Sequence, residues 1–340
     1  MPVIELQWPE SQESDILFAV ETDSVTLDDV DRRLLQALHL DGRVAFTRVG
    51  AVIGVSDRTI ARRYARLRDG KVINPVGVVD PGRLGGAEWV VRMQCKPGSA
   101  QQVAEALARR DDTRWVALLS GGTEICASLR AWSAGERDEL ILRHLHRTAP
   151  VVSVTAHNVL NVFSGARHGF EGPGQLTADQ IAALRPTYPD TGAETLADAD
   201  RPLLAALAVD GRAPYPALAA ATGWSEATVA RRIHKLRAAD LLRFDLDVNE
   251  AALGYHHEAR LWATVPPGRL AETGAAVAAH PEVAFCAATT GPTNLLIATV
   301  CRDGRDFYRY LTERLGALPL TGEVQTAPVI RIVKRSGRRP

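Results

Sequence analysis

Val30, Leu34, Leu35 and Leu38 recur at the spacing of a helix buried along one side, and Gly42 follows as its stop. A second short helix is predicted at about 45–53. Gly54-Val55 makes the turn after it, and Ser56 is a good cap for a third helix. There Ile60, Tyr64 and Leu67 fall at i, i+4 and i+7 and form one buried stripe. The opposite face carries Arg58, Arg62, Ala65, Arg66 and Asp69.

The same pattern returns further along. A shift of 169 positions lays residues 31–73 on 200–242 without a gap, and 18 of the 43 pairs are identical. They include Asp41-Gly42-Arg43 with Asp210-Gly211-Arg212, Gly54 with Gly223, Ser56 with Ser225, Thr59 with Thr228, and Arg62-Arg63 with Arg231-Arg232. In the second copy Val229, Ile233 and Leu236 point inward, and Ala227, Arg231, His234 and Lys235 point outward. A period this long marks whole duplicated domains, because solenoid repeats are much shorter.

After each helical unit comes a longer alternation of elements. Strands are predicted at 89–95 and 260–265, then helices at 101–110 and 270–279. Two strands then flank a Gly turn, at 115–120 with 124–132 and at 284–290 with 294–301. Another helix (about 136–147, and 305–316) leads to a last strand at 151–163 or 323–334. Strand-helix-strand-strand-helix-strand is the split βαβ, ferredoxin-like order. The expected fold class is therefore α+β: two three-helix helix-turn-helix domains and two ferredoxin-like βαββαβ domains in tandem, pseudo-dimeric. The predicted boundaries are an acidic arm 1–25, helix-turn-helix 26–75, ferredoxin-like 76–164, linker 165–195, helix-turn-helix 196–244, ferredoxin-like 245–335 and a basic tail 336–340. Gly and Pro in the linker resist packing, although Thr177-Ala178-Asp179-Gln180 has the spacing to start one short helix.

Composition narrows the function classes. Forty Lys and Arg balance forty Asp and Glu, so any pull toward nucleic acid is local. The four cysteines are too few and too scattered for a disulfide framework or a metal site, and read as buried thiols of a cytoplasmic protein. The uncharged run 284–301 is broken by Gly291-Pro292 and reads as strand-turn-strand, with no membrane partner expected. No P-loop, nucleophile elbow, Rossmann fingerprint or zinc motif is present. No cofactor and no catalytic residue are expected, and the chain reads as a non-enzyme.

A short helix, a Gly turn and a capped helix with a cationic outer face is the helix-turn-helix layout. Arg forks onto guanine edges in the major groove or neutralises phosphate. The candidate DNA-binding residues are Ser56, Arg58, Thr59, Arg62, Arg63, Arg66, Ser225, Thr228, Arg231, Arg232, His234 and Lys235. Arg63 and Arg232 sit at the edge of the buried stripe, where phosphate contact or packing suits them better than base reading. The plain alternative is a three-helix bundle with a solvated Arg face. The candidate effector-binding residues are Gly121, Gly122, Thr123 and Glu124, with Gly291, Thr293 and Asn294. Their Gly turns either offer backbone N–H groups to a carboxylate, beside a polar side chain for an ammonium, or simply supply positive φ to a hairpin. The basic run Arg331–Arg339 is either a further phosphate contact or a frayed terminus.

With Leu27-Asp28 and Asp31, Asp41-Gly42-Arg43, Ser56-x-x-Thr59, Arg62-Arg63 and Leu67, the chain resembles the Lrp/AsnC (feast/famine) transcriptional regulators. The resemblance covers both halves. It implies a regulator that binds double-stranded DNA, with modules that dimerise and sense an amino acid or related small molecule. It implies an intramolecular pseudo-dimer that assembles further into homo-oligomers. Two departures stand out. Val49-Gly50 replaces the family's usual Leu-Ala in the second helix, and Glu124 and Asn294 stand where the family often has Asp. Two alternatives remain. One is an enzyme resembling the siroheme decarboxylases, which share this scaffold; its only tempting cluster is His256-His257-Glu258, and neighbours in a strand point to opposite faces. The other is an oligomerising co-regulator without DNA binding.

Overall fold

A computed structural model describes residues 25–79, 86–138, 150–165, 175–188 and 194–335. The first helical unit is α1 (Asp29–Leu40), α2 (Phe46–Ile53) and α3 (Asp57–Asp69). Asp28 caps α1 in a reciprocal box with Asp31. Gly54, at φ 78°, turns the chain between α2 and α3, a left-handed conformation that glycine adopts without a steric cost. Gly50, the apparent flaw in α2, has its own reason: a Cβ there would lie 2.6 Å from the Val55 carbonyl oxygen.

Next come β1 (Ile73–Val78), β2 (Ala87–Cys95), α4 (Ala100–Ala108), β3 (Thr113–Leu119), β4 (Glu124–Ala131), α5 (Ala134–Asp138) and β5 (Val151–Gly165). The rest of the helix predicted at 136–147 lies outside the described residues. Helix α6 (Ala178–Leu184) starts at the Thr177–Gln180 capping box. The second copy follows as α7 (Arg201–Val209), α8 (Tyr215–Thr222), α9 (Glu226–Ala238) and β6 (Arg243–Val248). It ends with β7 (His257–Ala263), α10 (Leu270–Ala278), β8 (Val283–Thr289), β9 (Leu295–Cys301), α11 (Gly304–Arg309) and β10 (Gln325–Lys334).

Each ferredoxin-like copy forms a four-stranded sheet, and the two close into one barrel in the order β10-β3-β4-β2-β5-β8-β9-β7. Closure depends on two long strands. β5 pairs β2 with its first half and β8 with its second, while β10 pairs both β7 and β3. No edge strand remains within the barrel. Its interior holds Val90, Leu119, Cys126, Trp262 and Leu296, with Arg92 stacked 3.7 Å from the Trp262 ring and Arg260 4.1 Å from the Trp115 ring.

β1 and β6 escape the periodicity argument, and the predicted boundaries at 76 and 245 cut through both. They pair antiparallel, Ile73 opposite Val248 through Val78 opposite Arg243, as a ribbon that carries the helical units. The ribbon also exchanges core residues. Leu246 and Val248 of the second copy pack into the first helical core, and Val79 of the first packs into the second.

The repeated Asp-Gly-Arg motif explains itself here. Gly42 N–H donates to the Phe244 carbonyl and Gly211 N–H to that of Pro75. A Cβ on Gly42 would meet the Asp245 carbonyl oxygen at 2.9 Å, and one on Gly211 the Val76 nitrogen at 2.9 Å. Arg43 donates to the carbonyls of Gly211 and Ala213, and Arg212 to those of Gly42 and Val44. Asp41 pairs with Arg237 at 2.8 Å, and Asp210 with Arg68 at 2.8 Å. Each copy grips the other through the same three residues.

Two expectations need correcting. The linker does not resist packing over residues 175–188. Leu176 and Leu184 are buried in the first helical core, and Arg48 donates to the carbonyls of Ala183 and Arg185. The basic C-terminal run is not free either. Lys334 is buried with its Nζ 2.6 Å from the Arg110 carbonyl oxygen, and Arg335 pairs with Glu250. Residues 336–340 lie outside the described residues, as does the acidic arm up to residue 24.

Replacing Asp41 with alanine leaves the nearly buried Arg237 guanidinium without its carboxylate. Urea unfolding is expected to show a loss of about 2–4 kcal/mol, against at most ~0.5 kcal/mol for the exposed Arg231→Ala.

Candidate nucleic-acid interface and ligand cavity

Ser56 Oγ accepts from the Thr59 amide at 3.2 Å and lies 2.9 Å from Thr59 Oγ1; Ser225 and Thr228 repeat both distances. The shared Ser-x-x-Thr is therefore a helix cap before it is anything else, satisfying donors at the first turn. Arg58, Arg62, Ala65, Arg66 and Asp69 are all exposed on α3, as are Ala227, Arg231, His234 and Lys235 on α9.

The basic side chains divide along each helix. Arg63 reaches Asp28 at 2.6 Å and Asp31 at 3.0 Å, and Arg66 reaches Asp31 at 2.5 Å. Arg232 pairs with Asp200 at 2.6 Å and Glu194 at 2.8 Å, and Lys235 shares Glu194 at 2.9 Å. Arg63, Arg66 and Arg232 tie each third helix to the acidic start of the first, and Lys235 joins α9 to Glu194 in the segment before α7. Among the described residues Arg58 and Arg62 have no such carboxylate, and Arg231 only bonds Thr228 Oγ1 at 3.3 Å. These three guanidiniums thus belong to the N-terminal halves of α3 and α9.

The Gly turns are also committed locally. Gly121, Gly122 and Gly291 hold φ of 77°, 82° and 114°. Glu124 is buried, pairs with Arg92 at 2.7 Å and accepts from Ser120 Oγ, so it anchors the guanidinium that stacks on Trp262. Asn294 is clamped on Val265, accepting from its N–H and donating to its carbonyl. Thr289 Oγ1 donates to the Thr293 carbonyl at 3.4 Å. Gly291 admits the imidazole of His157, which would stand 2.2 Å from a Cβ there.

A cavity of about 1110 Å³ separates the β1–β6 ribbon from the mouth of the barrel. It is roughly two-fold in its backbone but not in its chemistry. Val76 and Val78 line one half, and their counterparts Asp245 and Asp247 line the other. On that acidic side Glu250 and Glu258 face Arg335, and Arg260 pairs with Glu258 at 2.7 Å. Burial pushes the Asp247 carboxyl up to about 7, with Arg335 opposing the rise and Glu250 adding to it. Burial raises Glu250 too. The sequence offers Glu258 in the His256-His257-Glu258 cluster and Arg335 in the basic run but not their meeting, because β6, the turn after it, β7 and the end of β10 come together only in the fold. Among the described residues no group of three or more His, Cys, Asp or Glu could hold a metal ion. The four cysteines are buried and unpaired by disulfides. No helix among the described residues is long and apolar enough to cross a membrane.

Two helix-turn-helix units locked as a pair over a fused ferredoxin-like barrel define a tandem duplication of one helix-turn-helix plus ferredoxin-like unit. The chain carries Lrp/AsnC modules: the AsnC-type helix-turn-helix domain matches at residues 27–68 and again at 196–237, and the Lrp/AsnC ligand binding domain at 258–339. One curated relative is the HTH-type transcriptional regulator FL11 of Pyrococcus horikoshii, 26% identical over 146 residues, 43% of this chain and 96% of that protein. Another is the siroheme decarboxylase NirDL subunit of Paracoccus pantotrophus, 28% identical over 272 residues, 77% of this chain and 80% of that one. A solved structure of the siroheme decarboxylase NirDL shares the fold with a TM-score of 0.60 at 14% identity, over 91% of this chain and 93% of that one.

The last two similarities overturn the expectation of a non-enzyme. The Paracoccus pantotrophus relative, which aligns along both copies, is an enzyme subunit, and the lack of a familiar catalytic motif does not exclude chemistry on this scaffold.

The raised Asp247 makes a pH prediction. The folded chain holds this proton more tightly than the unfolded chain, whose Asp titrates near ~3.9. The stability it contributes is complete below about pH 4 and is lost as pH rises through about 7. Chemical unfolding across that range is expected to show Asp247→Asn gaining on the unsubstituted chain as pH rises; a constant difference would contradict the assignment.

Proposed function

We propose that the protein binds double-stranded DNA through the exposed ends of α3 and α9 and regulates transcription in response to a small molecule. The observation that supports this best is the division of the basic side chains. Among the described residues Arg58 and Arg62 have no carboxylate partner and Arg231 bonds only Thr228 Oγ1, while Arg63, Arg66, Arg232 and Lys235 are paired with carboxylates. The first three lie in the N-terminal halves of α3 and α9, the part of a major-groove helix that makes its base contacts. Phosphate contact then falls to backbone N–H groups and to Ser56, Thr59, Ser225 and Thr228 rather than to Arg63 or Arg232. The two faces differ, Arg58 against Ala227, so the operator has two non-identical half-sites. Because Glu124 and Asn294 are engaged, an effector at the Gly turns would be held through the backbone of Gly121, Gly122, Thr123, Gly291 and Thr293.

A second reading is an enzyme acting on a tetrapyrrole. The 1110 Å³ cavity favours it, since that volume suits a ligand far larger than an amino acid, and a relative aligned over 77% of this chain is a siroheme decarboxylase subunit.

Arg62→Ala combined with Arg231→Ala is expected to weaken binding to the protein's own upstream DNA at least about tenfold in gel shifts and to flatten its salt dependence. Unchanged binding defeats the DNA reading. The second reading is tested by adding siroheme and recording the absorption spectrum: a shifted Soret band with release of CO₂ supports it, and a spectrum identical to free siroheme counts against it.

A further inference from the structure

The duplication leaves one position filled in the first helical unit and open in the second. In the first, the Tyr64 ring of α3 packs on Phe46 with centroids 5.1 Å apart, and Arg212 stacks over both, 4.2 Å from the Phe46 ring and 5.3 Å from Tyr64. In the second, Tyr215 stands for Phe46 and Arg43 for Arg212, with Arg43 4.9 Å from the Tyr215 ring. The residue corresponding to Tyr64 is Ile233, which is buried and has no ring.

A pocket of about 230 Å³ opens at that place, walled by Arg43, Tyr215, Ile233, His234, Arg237 and Tyr188. At ~30 Å³ per water this is room for about eight waters, or an organic molecule of comparable heavy-atom count. Tyr188 comes from the segment between the two copies. Its ring lies 4.9 Å from the Arg237 guanidinium and 5.7 Å edge-on from the His234 ring.

We infer that this pocket binds a small aromatic carboxylate, with its ring where the first copy keeps the Tyr64 phenol and its acid group toward Arg43, Arg237 and His234. Two features select that class. The flat faces of Tyr215, Tyr188 and the guanidiniums favour a planar ring. Charge favours an anion, because among the described residues Arg237 pairs with the Asp41 carboxylate alone, while Arg43 spends its donors on the neutral carbonyls of Gly211 and Ala213. His234 also belongs to the exposed face of α9, so an occupant touches the helix assigned to DNA. The pocket itself does not depend on that assignment.

Calorimetry on the full chain with phenylacetate as the probe tests the inference, with acetate and phenol as controls. Phenylacetate is expected to bind at one site per chain, with both controls weaker by about tenfold or more, since each lacks either ring or charge. Ile233→Tyr, which rebuilds the first copy's ring, is expected to weaken phenylacetate by at least about tenfold while thermal unfolding shows a folded protein. Should that variant not fold, Tyr188→Ala at the half-exposed wall decides, with an expected loss of about threefold or more. No binding of phenylacetate, acetate binding equally well, or affinity unchanged in the variants overturns the inference.

Discussion

The rest of the molecule depends on a reciprocal grip between two turns. Asp41, Gly42 and Arg43 each contact the other copy, and Asp210, Gly211 and Arg212 return every contact. The glycines let backbone meet backbone, the arginines satisfy carbonyls at the helix-to-helix turns, and the aspartates hold Arg237 and Arg68 of the opposing third helices. A salt bridge at a solvated surface contributes little, but Asp41–Arg237 is largely enclosed, where loss of one member strands its partner, while Asp210–Arg68 is more open. The two third helices, α3 and α9, are thereby tied into one head.

Beneath the head, the fused barrel removes the choice that separate subunits would have. Ordinary pairing of two ferredoxin-like sheets depends on concentration, whereas here β5 and β10 each belong to both sheets and make the pairing intramolecular. One chain can then hold two unlike halves. The cavity uses this freedom with Val76 and Val78 against Asp245 and Asp247, the helical units with Tyr64 against Ile233, and the outer faces with Arg58 against Ala227. A symmetric homodimer cannot differ between its halves in this way.

The architecture serves regulators and enzymes alike, and its parts separate accordingly. Guanidiniums without a carboxylate partner among the described residues lie at the head, while the large cavity below has the volume and the titratable wall of a ligand site. Both lie on the same ribbon, since β6 lines the cavity with Asp245 and Asp247 and lends Leu246 and Val248 to the first helical core.

Much was legible without coordinates. The repeat with its 18 identities, the caps at Ser56 and Ser225, the buried stripes and the strand-helix alternation all follow from local periodicity and turn chemistry, which act between residues a few positions apart. What only the tertiary structure decided are relations between distant positions. It assigned Arg63, Arg66, Arg232 and Lys235 to ion pairs and left Arg58, Arg62 and Arg231 without a carboxylate partner among the described residues. It joined β1 to β6, put Glu124 under Arg92, packed the linker helix onto the first core and buried Lys334. An arginine looks the same in sequence whether its nearest carboxylate lies in solvent or 35 residues away on a neighbouring helix, because Coulomb attraction depends on distance in space, which the chain order does not encode.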